Sequence, residues 1–171
     1  YGRPSVARNA FELVVDSLRK WVSIQPGVES WTVISAGEEH DPVYLGEEMY
    51  LNSVGKLTIE EYAKVLKESY AGISLMVSPH PSYPPLEMSV FDVKVITNCY
   101  GNKDLSKFSE NIISVKDVNP VLIARELKEI CDGYHVVVPH RAVNEEYVNT
   151  DEPFGFIKEL KAKMVEDARM E

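Results

Sequence analysis

The sequence predicts an α/β protein with a Rossmann-like parallel sheet and helices on both of its faces. Short apolar runs rich in β-branched residues alternate along the chain with amphipathic stretches at helical spacing. Strands that alternate with helices form parallel sheets, because each helix carries the chain back to the edge where the next strand begins. The run at 72–77 is almost wholly apolar, which is typical of a strand covered on both faces.

In the first half of the chain, two helices and two strands precede that run. Apolar residues recur at helical spacing from 9 to 22, and Asn9 is the expected N-cap. Two β-branched stretches, 31–36 and 50–54, each stop at a glycine, and we predict them as strands. The capping-box signature Thr-Ile-Glu-Glu opens a predicted helix over 58–68.

The second half adds two more helices and two more strands, followed by an apolar run and a charged final helix. Proline suits the first turn of a helix, so Pro84 and Pro120 each predict a helix start. The predicted elements are a helix from 84 to about 91, strands at 93–97 and 111–115, a helix from an Asn119 cap to about 131, an unassigned apolar run at 134–138, and a helix at 155–168.

Length and composition predict a single domain over 1–171, with the sheet and its helices in 1–140 and a C-terminal helix in 150–171. The chain has 171 residues, of which 44% are hydrophobic, and a net charge of −9. This acidity excludes nucleic acid as a general partner, although an anionic ligand still fits a locally basic pocket. Two cysteines form no disulfide framework and no apolar run reaches the roughly 18 residues of a membrane span, so a cytoplasmic protein is expected.

Ligands of parallel sheets bind at the carboxyl ends of the strands, so the loops at those ends are the candidates for a site. The richest is the stretch 78–87, in which four prolines stiffen the chain before a helix. Glu87, expected in the first turn of that helix, offers two acceptor oxygens that suit a vicinal diol such as a ribose. The alternative is that Glu87 only complements the helix dipole.

Two further loops carry basic residues. Arg3 and Arg8 flank a short segment that opens a helix, and guanidinium groups match phosphate oxygens in pairs. The alternative is that both arginines are simply solvated. The polar loop 97–104 contains Lys103, and it either contacts a sugar or phosphate or is an ordinary surface turn.

Other tempting motifs do not meet their requirements. The Gly-Lys pair at 55–56 is not a P-loop, because Tyr50 stands where the first glycine belongs, and neither GxGxxG nor GxSxG occurs. Four adjacent residues at 38–41 cannot easily all face one metal ion. His80 and His140 have no nucleophile or orienting partner nearby in the sequence, so we assign neither a base role.

Three segments carry a family resemblance when they are taken in order. They are Gly2-Arg3 with Arg8, the stretch 55–62, and Pro84-Pro85-Leu86-Glu87-Met88 followed by Val93-Lys94-Val95-Ile96-Thr97. This ordered set resembles the C-terminal, nucleotide-sugar-binding domain of GT-B glycosyltransferases over about residues 1–130. The stretches GISLMVSPHPSYPPLEM and VITNCYGNKDLS resemble, more narrowly, the bacterial rhamnosyltransferases that build surface glycans.

The resemblance implies a glycosyltransferase of the hexosyltransferase type, with a nucleotide-diphosphate sugar as donor and a glycan as acceptor. The narrower resemblance implies dTDP-rhamnose. Arginines stabilise the departing diphosphate in this fold, so no metal ion and no other cofactor is expected. The implied donor-binding residues are Arg3 and Arg8 at the diphosphate, Lys56 at the base, Glu87 at the ribose, and His80, Ser82, Tyr83 and Lys103 at the sugar or diphosphate.

The chain departs from the family pattern in three respects. Pro79 stands where many relatives carry a second glutamate, so the sugar contacts of that glutamate are expected either to be absent or to be taken over, with His80 as the candidate. The family's N-terminal domain, which binds the acceptor and usually carries any catalytic base, is not in this sequence, so no catalytic residue is assigned and this chain alone is expected to be inactive. The sequence also begins at or inside the first strand, which leaves the central place in the sheet empty unless 134–138 or another chain fills it.

The helix at 155–168 is expected to pack on the absent domain or to pair with a neighbouring chain as a homo-oligomer. The resemblance to surface-glycan enzymes implies a second expected location, in which the protein is bound peripherally to the inner face of the membrane. A competing hypothesis is a non-catalytic Rossmann-like nucleotide-binding or interaction module, in which the charged final helix docks a partner.

Overall fold

Six strands and four helices make up the described part of the chain, residues 3–80 and 82–134 of a computed structural model. The strands are β1 (Val33–Ala36), β2 (Val43–Gly46), β3 (Met49–Gly55), β4 (Ala71–Ile73), β5 (Lys94–Asn98) and β6 (Ile112–Val115). The helices are α1 (Phe11–Val22), α2 (Ile59–Glu68), α3 (Tyr83–Val90) and α4 (Pro120–Asp132). No helix of this part combines the length and the apolar character that crossing a membrane requires.

The strands form two three-stranded sheets, in the orders β1-β3-β2 and β4-β5-β6. In the second sheet every pair is parallel, with Gly72 opposite Val95 and Ile96 opposite Ile113. In the first sheet β1 runs parallel to β3, whereas β2 runs antiparallel to it. The predicted Rossmann-like α/β fold is confirmed, and no strand within residues 3–80 and 82–134 joins the two sheets.

Helices cover both faces of the β4-β5-β6 sheet, as the sequence predicts. Side chains alternate across a strand, so neighbouring residues of β5 point to opposite faces. Ile96 packs in a core with Leu18 of α1 and Ile123 of α4. Val95 packs in a second core with Leu66 of α2 and a methionine of α3. Ile96, Val95 and Ile123 are completely shielded from solvent, which makes β5 the centre of the fold.

Strand β2 is an element that the sequence pattern did not predict. It joins β3 through a two-residue turn, Glu47–Glu48, whose φ angles are 46° and 58°. Two consecutive left-handed residues are what a type I′ hairpin turn requires, and such turns are usually recognised by an Asn-Gly pair. A Glu-Glu pair lacks that signal, so the strand before it was missed.

Strand β4 is shorter than the predicted run at 72–77 and ends at Ile73. The ladder continues through one further bond, from the amide of Ser74 to the carbonyl of Ile96 (3.0 Å). The amide of Met76 then donates to the side chain of Asn98 (2.7 Å) rather than to a neighbouring backbone. A buried side chain has therefore replaced the sheet partner, and the chain turns away into a loop.

Asn9 is not the N-cap of α1, which corrects the prediction made from its position. It is buried in a single 3-10 turn, Ala7–Asn9, and the N-cap is Ala10 with a left-handed φ of 48°. The other two predicted caps are confirmed. Thr58 forms the capping box of α2 with Glu61, and the Asn119 side chain accepts from the amide of the second residue of α4.

Four aromatic rings cluster beside the amino ends of β1 and β4. Trp31 precedes β1, Tyr70 precedes β4, and their ring centroids are 6.2 Å apart. Tyr134, just after α4, lies 5.3 Å from Trp31 and 4.8 Å from Tyr70. Trp21 of α1 joins them at 6.3 Å from Trp31. The cluster thus links the two sheets at their amino ends, while the predicted run beyond Tyr134 and the final helix lie outside the described residues.

Candidate functional site

The segment of residues 3–10, which we call the arginine loop, is fastened to the carboxyl ends of both sheets. Ser5 donates from its amide (3.1 Å) and its hydroxyl (2.6 Å) to the carboxylate of Glu38, just after β1. The carbonyl of Arg8 accepts from the amide of Val77, after β4, at 2.7 Å. The loop therefore crosses the edge at which ligands of parallel sheets bind.

Both guanidinium groups of the arginine loop remain available to a ligand. Arg3 and Arg8 are exposed. Within residues 3–80 and 82–134 neither of them forms a salt bridge. Exposed arginines beside strand ends suit a doubly charged anion such as a diphosphate, because each can present two parallel N–H donors.

Glu38 is held in its charged form by its surroundings. Hydrogen bonds from the Ser5 hydroxyl and amide lower the pKa of Glu38 below its ordinary value of 4.5, and the nearby Arg3 and His40 act in the same direction. The carboxylate is therefore committed to fixing the loop. This role could not be predicted from the sequence, because the two partners are 33 positions apart.

His40 is likewise committed to local structure. Its Nδ1 donates to the carbonyl of Asp41 (2.7 Å), and its Nε2 is hydrogen-bonded to the hydroxyl of Ser35 (2.8 Å). The ring also packs edge-on against Phe11 at a centroid distance of 5.0 Å. No group of three or more His, Cys, Asp and Glu side chains in the described ranges is arranged to hold a metal ion, and metal independence stays a prediction.

Lys56 lies at the end of β3, where the sequence placed the base of a nucleotide. Gly55 adopts a left-handed φ of 64°, and its carbonyl accepts from the amide of Gly37 at 2.9 Å. This bond holds the loops after β1 and β3 together at one edge. Lys56 follows the turn with an exposed side chain.

The stretch of residues 76–80, which we call the proline loop, leads from β4 toward α3. The amide of His80 donates to the hydroxyl of Ser78 (3.2 Å), and Nδ1 of His80 accepts from the amide of Ser82 (3.1 Å). Ser82 is the N-cap of α3, with a φ of 68° and a side chain only 2% exposed. A left-handed serine is costly, and such strain occurs where a surrounding structure fixes the backbone, often at functional sites.

Tyr83 and Glu87 stand on α3 beyond that turn. Tyr83 is 64% exposed and its ring meets the ring of His80 edge-on, at 5.9 Å between centroids. Glu87 is exposed and is the fifth residue of α3, whose first turn carries no acidic residue. The expectation of a first-turn glutamate is therefore wrong, and the dipole alternative loses its basis because the dipole acts within the first turn.

Lys103, like Ser82, is a predicted donor residue that the structure buries. It is 6% exposed, and its ammonium donates to the carbonyl of Met76 at 2.7 Å. Asn98, only 1% exposed, donates to the same carbonyl (3.1 Å) and accepts from the amide of Met76. Asn98 was not among the site residues predicted from the sequence, although an asparagine at the end of an apolar strand is a signal that could have pointed to it.

A cavity of about 320 Å³ lies beside the proline loop. It is lined by Pro79 and by residues 102–105, 107 and 108 of the segment 102–108. The segment ends in a 3-10 turn, at whose N-cap the Asp104 carboxylate accepts from the amide and hydroxyl of Ser106. His140, to which no role was assigned from the sequence, lies outside the described residues.

The comparisons with known proteins cover most of the chain. The family described as "WsaF, C-terminal domain" matches residues 1–128, which include every predicted donor-binding residue. A curated relative, "O-antigen biosynthesis protein RfbC" of Myxococcus xanthus, is 33% identical over 135 residues. That alignment covers 78% of this chain but 10% of the relative, so the chain spans about a tenth of the relative's length.

Proposed function

The chain belongs to the WsaF C-terminal domain family, and from that premise we propose that it is the nucleotide-sugar-binding domain of a glycosyltransferase of glycan biosynthesis. The name of the similar Myxococcus protein, an O-antigen biosynthesis protein, supports a role in glycan biosynthesis. The α/β fold, with loops gathered at the carboxyl edge of parallel strands, is the architecture in which nucleotides bind at strand ends.

The observation that carries the proposal is the bond between the Arg8 carbonyl and the Val77 amide, at 2.7 Å. It fastens the arginine loop to the proline loop, so the two segments with the strongest anion- and sugar-binding chemistry share one edge. Arg3 and Arg8 would hold the diphosphate and stabilise its charge as the sugar leaves. The interaction acts most strongly when the nucleotide departs, because negative charge accumulates there.

The other predicted residues have assigned positions in the same proposal. Lys56 would meet the base through its backbone, and Glu87 would accept hydrogen bonds from the ribose hydroxyls. The sugar would lie against the exposed end of the proline loop and the start of α3, near His80, Ser82 and Tyr83.

Finer assignments belong to the proposal as well. The donor is dTDP-rhamnose, the reaction is that of a metal-independent hexosyltransferase with a GT-B arrangement, and the acceptor is a glycan held by a separate domain that also carries any catalytic base. The domain works in the cytoplasm or at the inner face of the membrane, and it does not bind nucleic acid.

Calorimetric titration of the 171-residue chain with dTDP, UDP, GDP and ADP tests this proposal. One nucleotide, expected to be dTDP, binds, and Arg8→Ala and Glu87→Gln each weaken it about tenfold, which corresponds to about 1.4 kcal/mol. Arg125→Ala and Glu129→Gln, which change exposed residues of α4, are the matched controls and leave the affinity unchanged.

Two results would contradict the proposal. Absence of binding to all four nucleotides would favour the interaction-module hypothesis. Binding that Arg8→Ala and Glu87→Gln weaken no more than the two control variants would place the nucleotide at a different site.

A further inference from the structure

The backbone of Met76 is held from the neighbouring strand end by two buried side chains. Asn98 accepts from the Met76 amide at 2.7 Å and donates to its carbonyl at 3.1 Å. Lys103 donates to the same carbonyl at 2.7 Å. The amide of Ser78 also donates to this carbonyl, at 2.9 Å. Because the amide of Met76 is bonded once and its carbonyl three times, the peptide groups on both sides of Met76 are fixed in orientation. We call Asn98 and Lys103 the Met76 clamp.

The residue after Met76 connects this clamp to the arginine loop. The amide of Val77 donates to the carbonyl of Arg8 at 2.7 Å. The side chain of Val77 is 45% exposed, so this backbone bond, and not apolar packing, is what fixes its position. The clamp is therefore hydrogen-bonded to Met76, Met76 is covalently bonded to Val77, and Val77 is hydrogen-bonded to Arg8.

Stability alone does not account for a lysine at position 103. Burial of an ammonium is unfavourable, and it lowers the pKa of Lys103 below the ordinary 10.5. No carboxylate in residues 3–80 and 82–134 forms a salt bridge with it. The Asn98 amide already donates to the Met76 carbonyl, so an apolar residue of the same length at 103 would leave no acceptor unsatisfied.

We propose that Lys103 and Asn98 are positioning residues of the donor site, which fix Met76 and Val77 and thereby hold Arg8 where its guanidinium meets the diphosphate. This inference rests on the proposed function. It gives Lys103 an indirect role, in place of the direct donor contact that the sequence predicts. Two buried side chains, one at the end of β5 and one in the loop after it, thus set the geometry of the arginine loop, which is distant from them in the sequence.

A double-mutant cycle separates positioning from direct contact. Lys103→Met is expected to weaken binding of dTDP about tenfold, and Lys103→Arg, which keeps a charged donor, to restore much of the affinity. In the Arg8→Ala background, Lys103→Met is expected to weaken dTDP binding by less than about a further twofold, because the effects of residues that act through one another do not add. Lys67→Met, at an exposed position near the end of α2, is the matched control.

Hydrogen exchange of the Val77 amide tests the same link without a ligand. In Lys103→Met this amide is expected to exchange at least about tenfold faster, while the amide of Leu18 in α1 changes little and reports on global unfolding. If the parent chain binds no dTDP, the proposed function fails, and the exchange rates still decide whether the clamp holds Val77.

Two outcomes would overturn the inference. The first is a Val77 amide that exchanges equally in the parent chain and in Lys103→Met. The second is a full tenfold loss of dTDP affinity when Lys103→Met is added to Arg8→Ala. That result would mean that Lys103 contacts the nucleotide independently of Arg8.

Discussion

At the scale of single residues, the carboxylate of Glu38 fastens the arginine loop to the end of β1. It accepts two bonds from Ser5, one of them as short as 2.6 Å, and its pKa is lowered mainly by those bonds. The charge of Glu38 also lies near Arg3, so the same carboxylate that fixes the loop influences the guanidinium group it presents. The position of Arg3 therefore depends on a hydroxyl two residues further along the chain.

We expect Ser5→Ala to raise the pKa of Glu38 toward 4.5, because the hydroxyl bond is the largest cause of the lowering. A lowered pKa in the folded state contributes stability above the unfolded value, and that stability disappears as the pH falls through the folded value. Below about pH 4.5, the parent chain should therefore lose stability more steeply than Ser5→Ala. Carboxyl titration by NMR and urea unfolding between about pH 3 and pH 7 measure both effects.

Glu61 is the internal reference for this measurement. Its pKa is also lowered, by bonds with Thr58 at the start of α2, and Ser5→Ala should leave its titration unchanged. A Glu38 carboxyl that titrates identically in both chains would show that the Ser5 hydroxyl is not its partner in solution.

At the scale of elements, the ends of α2 and α4 are specified by a few adjacent residues. The Thr58 amide donates to the Glu61 carboxylate at 2.9 Å, and the Glu61 amide donates to the Thr58 hydroxyl at 3.2 Å. The Asn119 side chain accepts from the Val121 amide at 2.8 Å. These bonds satisfy amides that have no partner within the helix. The start of each of these two helices could therefore be predicted from four or five consecutive residues.

Removal of the capping hydroxyl should destabilise the chain measurably. Thr58→Ala is expected to lower the free energy of unfolding by about 1 kcal/mol, because it deprives a first-turn amide of its acceptor. Urea denaturation followed by circular dichroism measures the loss. Thr32→Ala, at an exposed position before β1, is the control and should leave the midpoint unchanged. Equal midpoints for Thr58→Ala and the parent chain would argue that the capping box contributes nothing.

Features set by distant contacts could not be predicted in the same way. The 72–77 run reads as a long strand, yet Asn98 takes over the amide of Met76 from 22 positions away and ends the strand early. The turn between β2 and β3 depends on two glutamates with left-handed backbone conformation, which glutamate rarely adopts and which the local sequence therefore does not predict. Local signals thus predicted the helices and most strands, while long-range partners decided where strands stop.

The same division applies to the candidate site. Its loops could be predicted, because parallel strands place their carboxyl ends together and Arg3, Arg8 and Glu87 follow recognisable patterns. The burial of Lys103 could not, because its partner lies 27 positions away and a lysine in a polar loop is ordinarily exposed. The chemical types of the candidate side chains could be recognised in the sequence. Which of them are exposed to a ligand and which instead support the backbone from a buried position could be seen only in the fold.

At the scale of the whole molecule, the two sheets share one hydrophobic core. Leu51 of β3 and Ile96 of β5 belong to the same buried cluster, which α1 and α4 cover together. Ile123 and Ala124 of α4 are completely buried there. Because they share this core, we expect the two sheets to unfold as one unit, although no described strand pairs them.

Ile123→Ala tests this cooperativity. The truncation should lower the free energy of unfolding by about 2–5 kcal/mol, because it leaves a cavity in the core. Tryptophan fluorescence, which reports on α1 and the start of β1, and far-UV circular dichroism should shift together to the same new midpoint. Val121→Ala, which trims a 38% exposed side chain of the same helix, should shift neither by much. Separate midpoints for the two probes would mean that the sheets unfold independently.

The Glu47–Glu48 turn offers a point of attachment. It precedes β3, so it lies at the amino end of that strand, while Lys56 and the arginine loop lie at the carboxyl edge. Both glutamates are exposed, and exposed loop tips tolerate inserted sequence better than buried backbone does. An affinity tag or a fluorescent reporter inserted there would leave the opposite edge accessible, so the domain could be immobilised on a sensor surface with its candidate site facing the solution.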